Sequence, residues 1–435
     1  MCEDNVMIRL GNMKKIAVIL GIIVTTILLT VLYKGNGDSS LAKVEKELEG
    51  TITFVSNRID KKDELNELIQ EFEEIHPKVK VNLELLGDAE NILRRKLALG
   101  ELADVTLVPS VISNSEYSQH FLPLDELGFN DDNIYNYYSG LGSDGSLYTL
   151  TTSLKWLGIV YNKIVFEKAG ITNIPTTIPA FMESCERIKN IGVTPIALNY
   201  TESWAIGVWI DEIPYVLDKD LEYDIMVNSK EVLSSDTGTY KSLKLVSNII
   251  DNKYCEEDLF DYSWERCKND FVDGNVAMIP FSSNLRYQFE DMGMNKADVG
   301  MFPIPESEEV SITGDYRLAV SKNTQYPEIS KEFIKFLFEE NRYANAVNIF
   351  PTLKNEEENV EIINELQNFN VSVQIHENIV KAKDEDGVKE HDKYHSLKKR
   401  IGMNVEFLQE YLMSDDREGL INSINEKWIN ARDNN

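Results

Sequence analysis

Residues Gly50 to Val108 alternate strand-like and helix-like runs, and that order constrains the fold more than anything else in the chain. Gly50 to Asn57 alternates as a first strand. Asp60 and Asp63 then open a helix through His76, with Leu65, Leu68, Ile69, Phe72 and Ile75 at helical spacing. Pro77 stops it, and Val79, Val81, Leu83 and Leu85 alternate as a second strand. A helix from about Glu90 to Leu99 leads to a buried strand at Val105 to Val108. Strand, helix, strand, helix, strand implies a parallel sheet with helices on its faces, an α/β architecture.

A chain of 435 residues is long enough to bury two such cores. Apolar residues make up 43% and charged residues 27%, the balance of a globular protein. The formal net charge is -29, and residues 1–40 carry four basic and three acidic side chains, so the acidity belongs to the chain beyond residue 40. An acidic surface of this size argues against nucleic-acid binding and against docking onto anionic lipid by charge.

Lys14 and Lys15 precede Ile16 to Tyr33, which is uncharged and almost wholly apolar. As a helix it would span roughly 27 Å, close to the thickness of a bilayer core. Arg9, Lys14 and Lys15 on its amino side favour a cytoplasmic N-terminus and an external body. No small-x-small cleavage site stands near Leu32 to Asp38, so residues 16–33 read as an uncleaved anchor, residues 1–40 as anchor plus tether, with signal cleavage as the alternative. Met1 and Met13 both remain possible starts. Cys2, Cys185, Cys255 and Cys267 form no C-x-x-C, which removes zinc and thioredoxin-like readings. Whether Cys255 and Cys267 pair in an oxidising compartment stays open.

Farther along, Asp144-Gly145 marks a turn, and Leu147 to Thr152 and Leu157 to Tyr161 read as strands. Tyr161-Asn162-Lys163 leads into a short helix, Val165 to Ala169, with Gly170 as its carboxyl cap. Thr177 can cap a helix that carries Met182, Cys185 and Ile188 on one face before Gly192. Thr237 to Asn252, Pro327 to Leu337 and Asp415 to Ala431 are further helices. The charged run Lys381 to Lys393 reads as a solvated loop.

Tyr161-Asn162-Lys163 with Phe166-Glu167-Lys168-Ala169-Gly170 resembles a signature of the extracellular solute-binding proteins of family 1, the maltodextrin-type receptors of ABC importers. Further matches occur in family order: Ala103-Asp104-Val105, Pro123-Leu124-Asp125, Pro175-Thr176-Thr177, Thr194-Pro195-Ile196-Ala197, Phe271-x-x-Gly274-x-x-Ala277-Met278, Gly314 to Ser321 and Pro351-Thr352. The sequence departs where relatives carry Gly-x-Trp, since Ser282-Ser283-Asn284 stands there, and where they carry Leu-Pro, since Thr151-Thr152 does. No cysteine closes the apolar run as a lipidated relative's would.

The resemblance implies a periplasmic-binding-protein-like class II fold, two α/β lobes joined by a hinge. Lobe 1 would comprise 41–154 and 307–350, and lobe 2 would comprise 155–306 and 351–435. It also implies capture of a carbohydrate, an oligosaccharide, and delivery to an ABC permease by a monomer held on the extracytoplasmic side of the cell membrane. The alternatives are a receptor of the same fold feeding a membrane sensor kinase, or an extracellular carbohydrate-active enzyme.

Sugars are recognised by aromatic faces that stack on C–H patches and by polar groups that pair with hydroxyls. In such a fold these groups belong in loops at the carboxyl ends of strands. That selects Asn57 and Arg58 after the first strand, Ser110 after the third, Lys155 and Trp156 in the crossover, Tyr200 and Trp204 after the P-I-A strand, Asn284 after the A-M strand, and Asp315, Tyr316 and Arg317 after Gly314. Trp209, Trp264 and Trp428 read as packing residues. Asp315 and Arg317 could pair with each other. No G-x-S-x-G, H-E-x-x-H or phosphate-cradling glycine loop occurs, so no catalytic residue and no cofactor are expected. His391 and His395 could clamp a metal on one helix face, but in so charged a stretch they read as a solvated face, and no metal site is expected.

Overall fold

The computed structural model describes residues 47–433 apart from 88, 224, 227–230, 355–363, 365, 370 and 376–384. The chain divides into two compact units, Met1–Leu48 and Glu49–Asn435. The apolar run 16–33 lies outside the described residues, and no helix among those described is long and apolar enough to cross a membrane.

In chain order the strands are β1 (Gly50–Ser56), β2 (Val79–Leu85), β3 (Val105–Leu107), β4 (Thr149–Thr151), β5 (Leu154–Asn162), β6 (Thr194–Ile196), β7 (Val276–Ser282), β8 (Val299–Phe302), β9 (Glu309–Gly314), β10 (Arg317–Val320) and β11 (Ser372–Ile375). They build two sheets. The first has the order β2-β1-β3-β10-β4; the second has β11-β9-β5-β7-β6, with β8 on β5. β1 and β2 run parallel from Gly50 opposite Val79 to Ser56 opposite Leu85. The helix Lys62–Ile75 between them buries Leu65, Leu68, Ile69 and Phe72. Phe72 and Phe54 both meet Phe333 edge-on, at 4.9 and 5.3 Å between ring centroids. This clustering results from apolar residues at strand spacing in β1 and helical spacing in the two helices. Asp104 accepts the Thr53 amide at 2.8 Å and the Thr324 hydroxyl at 2.5 Å, so the Ala-Asp-Val motif ties β1 to the approach of the helix Pro327–Phe338.

In the second sheet, Asn162 caps the helix Lys163–Lys168 by accepting the amides of Ile164 and Val165, while its own amide donates to the Phe271 carbonyl at 3.0 Å. That double role accounts for the asparagine of Tyr-Asn-Lys. Thr177 caps the helix Ile178–Asn190 as expected, and Gly170, at φ 68°, occupies the left-handed region. Phe271 and Phe289 stack at 4.1 Å.

Two chain segments cross side by side between the sheets. Thr151 at the end of β4 lies opposite Arg317 at the start of β10 in the first sheet. Leu154 at the start of β5 lies opposite Gly314 at the end of β9 in the second. Between these pairs the Asp315 amide donates to the Ser153 carbonyl and the Thr152 amide to the Tyr316 carbonyl, both at 2.8 Å. The sheets therefore face the crossing with the carboxyl ends of β1 and β3 on one side and of β6 and β7 on the other.

Three expectations change here. β5 begins at Leu154 instead of Leu157, because residues 154–156 pair with β9. β9 belongs to the second sheet, so residues 309–314 do not sit with the first, contrary to the expected 307–350 boundary; the crossing falls at 315–316. The run expected as a solvated loop is helical from Glu385, within the helix Glu385–Ile401, whose Tyr394, Leu397 and Ile401 enter the second-sheet core. Charged helix formers extend what that apolar stripe anchors.

Candidate functional site

At the crossing, Lys155 Nζ lies 3.3 Å from an Asp315 carboxylate oxygen. The other Asp315 oxygen accepts from Asn284 Nδ2 at 3.1 Å, and the same amide donates to Ser153 Oγ at 3.2 Å. Asn284 is 8% exposed, and its Oδ1 has no hydrogen-bond partner among the described atoms. A buried acceptor left open is costly. Tyr316 interacts electrostatically with Asp315, Lys155 and Asn57, and burial raises its pKa. Asp315 holds the Lys155 ammonium above the usual lysine value, against the opposing effect of burial. Lys155, Asn284, Asp315, Tyr316 and Asn57 thus form one polar cluster drawn from β1, the crossing and the end of β7.

Trp204, 48% exposed, stands on the second-sheet side in the short helix Ser203–Ile206. Its ring meets Trp264 edge-on at 4.9 Å and Phe281 at 5.6 Å, and Trp264 and Phe281 lie 5.1 Å apart. Phe281 immediately precedes the segment Ser282-Ser283-Asn284, so the aromatic shelf and the polar cluster draw on the same stretch of chain at the end of β7. Trp264 packs against the second-sheet core, as expected, and also takes part in the shelf.

The other expected residues are held internally. Trp156 is 1% exposed in the second-sheet core; in β5 it points away from Lys155, since successive strand residues face opposite ways. Tyr200 is 6% exposed and donates its hydroxyl to the Gln409 carbonyl at 3.0 Å. Arg58 grips Asp60 and the Val347 carbonyl. Ser110 Oγ donates to Glu90 at 2.5 Å. Arg317 donates to the Ser139 carbonyl at 2.7 Å and lies over the Tyr117 ring, so it does not pair with Asp315. Sequence reasoning misses Ser153 and Phe281. The polar serine at the end of Thr151-Thr152-Ser153 is the available signal for the first.

Cys185, Cys255 and Cys267 are free thiols, and Cys267 Sγ accepts from Asn199 at 3.2 Å, so Cys255 and Cys267 form no disulfide. His395 faces Glu222 at 3.2 Å; the side chain of His391 lies outside the described residues. Among the described residues no group of three or more His, Cys, Asp or Glu could hold a metal ion.

Two α/β sheets joined by paired crossing segments, with a polar cluster and an aromatic shelf at the junction, define a two-lobe binding protein of class II type. The chain belongs to the bacterial extracellular solute-binding proteins, a family it matches over residues 57–341. It is 23% identical over 336 residues to the multiple sugar-binding protein of Streptococcus mutans, a match covering 74% of this chain and 78% of that protein. Among solved structures it is similar to a mannobiose-bound binding protein of an ABC transporter from Bifidobacterium animalis subsp. lactis, at TM-score 0.75 and 24% identity, covering 89% of this chain and 96% of that one. A raffinose-bound solute-binding protein, RafE, superposes at TM-score 0.64 with 18% identity, covering 88% of this chain and all (100%) of that one.

Proposed function

We propose that this protein is the extracytoplasmic receptor of an ABC importer and that it captures a carbohydrate of oligosaccharide size between its lobes for delivery to a membrane permease. The observation that carries the reading is the Lys155–Asp315–Asn284 cluster at the crossing, together with the exposed Trp204 ring packed on Phe281, three residues before Asn284 in the chain. The cluster offers charged and amide groups for hydroxyls, and the indole offers a flat surface for a pyranose face. The relatives named above are binding proteins of sugars or of ABC transporters, which supports a binding role in place of catalysis. In this reading lobe 1 takes residues 50–152 and 317–350, and lobe 2 takes 155–314 and the carboxy-terminal helices. The bound sugar favours the closed arrangement by touching both lobes.

The test is a titration of intrinsic fluorescence and heat with mannobiose, mannotriose, raffinose, stachyose and maltotriose. Saturable binding of at least one is expected, and a folded sample that responds to none would overturn the carbohydrate reading. Trp204→Ala should weaken that binding by about tenfold or more, because a stacked ring contributes on the order of 1 kcal/mol beyond the area it covers. Wild-type affinity in that variant would remove Trp204 from the site.

The protein acts as a monomer tethered by residues 16–33 in this proposal. Mass spectrometry of the mature amino terminus checks the tether, and a chain beginning near Ser40 would contradict it. Sedimentation of the external portion checks the monomer.

A further inference from the structure

Two segments of the second lobe carry the aromatic shelf. One comes after β6 and bears Tyr200 and Trp204; the other runs from Tyr254 to Trp264 and bears Phe260 and Trp264. Phe260 lies edge-on to Tyr200 at 5.3 Å, and Trp264 edge-on to Trp204 at 4.9 Å. Beneath these ring contacts sits Glu256, a carboxylate 6% exposed. Its oxygens accept the backbone amides of Leu198 at 2.9 Å and Asn199 at 2.7 Å. Two consecutive amides converge on one anion, a concave arrangement made possible because Asn199 adopts φ 51°, in the left-handed region.

We infer that Glu256 is a positioning residue for sugar binding: it locks the loop 198–200 to the segment 254–264 and so fixes where Trp204 presents its face. The inference rests on the carbohydrate reading above. Burial works against the charged carboxyl and raises its pKa, so the amide bonds oppose a real desolvation cost at this position. The remaining anchors leave the amides untouched. The Ile196 amide donates to the Tyr254 carbonyl at 3.0 Å, before the loop begins. Gln409 exchanges bonds with the Tyr200 hydroxyl and carbonyl, beyond the turn that Glu256 organises. No other side chain spans from one aromatic-bearing segment to these two amides among the described bonds.

Tryptophan fluorescence can track this position selectively. Of the five tryptophans, Trp156, Trp209 and Trp428 are at most 1% exposed, so a collisional quencher such as acrylamide reports on Trp204 and Trp264. Glu256→Gln keeps one accepting oxygen but turns an NH2 group toward a backbone N–H, which leaves a donor unpaired. The expected result is a folded variant with stronger acrylamide quenching and at least a tenfold loss of affinity for whichever oligosaccharide of the panel the wild type binds best. A change in stability alone would move the unfolding midpoint and neither of these readouts. Either readout at its wild-type value in the folded variant would overturn the inference. If Glu256→Gln does not fold, Glu256→Asp, which keeps the charge and withdraws it by one methylene, is judged by the same two criteria. A wild type that responds to no sugar would instead count against the carbohydrate reading, and the quenching measurement would then decide the role of Glu256 alone.

Discussion

Asp315→Ala is expected to reduce oligosaccharide affinity by well over tenfold, the largest loss from any single change at the crossing. The carboxylate holds two groups at once, the Lys155 ammonium and the Asn284 amide. Removing it leaves the ammonium without its partner and frees Asn284 to rotate, so the open Oδ1 acceptor loses its aim. Each partner of the ion pair keeps 26% of its side-chain surface exposed, so the stability cost should stay near 1–2 kcal/mol, about half or less of what a fully buried pair would lose. Isothermal titration separates the effects: a large change in Kd with a small change in unfolding free energy is the expected pattern, and an unchanged Kd would show that the pair serves the fold alone. The pH dependence has a definite sign. Lys155 has a raised pKa in the folded protein, so its contribution is fully present below the ordinary lysine value and is lost as pH rises through the higher folded value. The difference in stability between wild type and Asp315→Ala should accordingly be flat across neutral pH and shrink as pH rises through the raised lysine value.

Trp156→Ala is expected to have the opposite profile, a loss of roughly 3–5 kcal/mol of unfolding free energy from the cavity left in the second-sheet core. The indole is among the largest fully buried side chains and touches the wall formed by β5 and its neighbours. Its Nε1 has no partner among the described residues, so Trp156→Phe gives up no hydrogen bond seen there and should retain most of the stability and the wild-type Kd. Urea unfolding measures the first variant and sugar titration the second. A Trp156→Phe protein that is stable but unable to bind would return Trp156 to the site.

The contrast between these two neighbours shows what the sequence could reveal. Lys155 and Trp156 sit in the same crossover, and both read as cleft residues from the sequence, yet only Lys155 meets the polar cluster. Strand alternation says that they face opposite ways but not which way is inward, because β5 is packed on both faces and its residues are nearly all buried. Local features are legible wherever the cause is local: Thr177 and Asn162 as caps, Gly170 past a helix end, and the period of the Lys62–Ile75 helix. Features that depend on distant partners are not. The helix from Glu385 reads as a charge run until Tyr394 and Leu397 are seen packed against the second lobe. Glu256 is one of 73 acidic residues, and nothing in its neighbours along the chain announces two amides that arrive from Leu198 and Asn199. Arg317 and Arg58 look available for a ligand because their carbonyl acceptors, Ser139 and Val347, lie far away in sequence.

The paired crossing has a mechanical consequence. Thr152 and Ser153 are bonded to Tyr316 and Asp315, so neither segment can slip along the other without breaking that ladder. Sliding at this pair is therefore opposed, and bending of the two segments is what the ladder leaves open. A few degrees of turn there become a displacement of several ångströms at the far rims, on the order of the rise of one helical turn. A partner gripping both rims would measure occupancy of the cleft as a distance, without touching the guest inside.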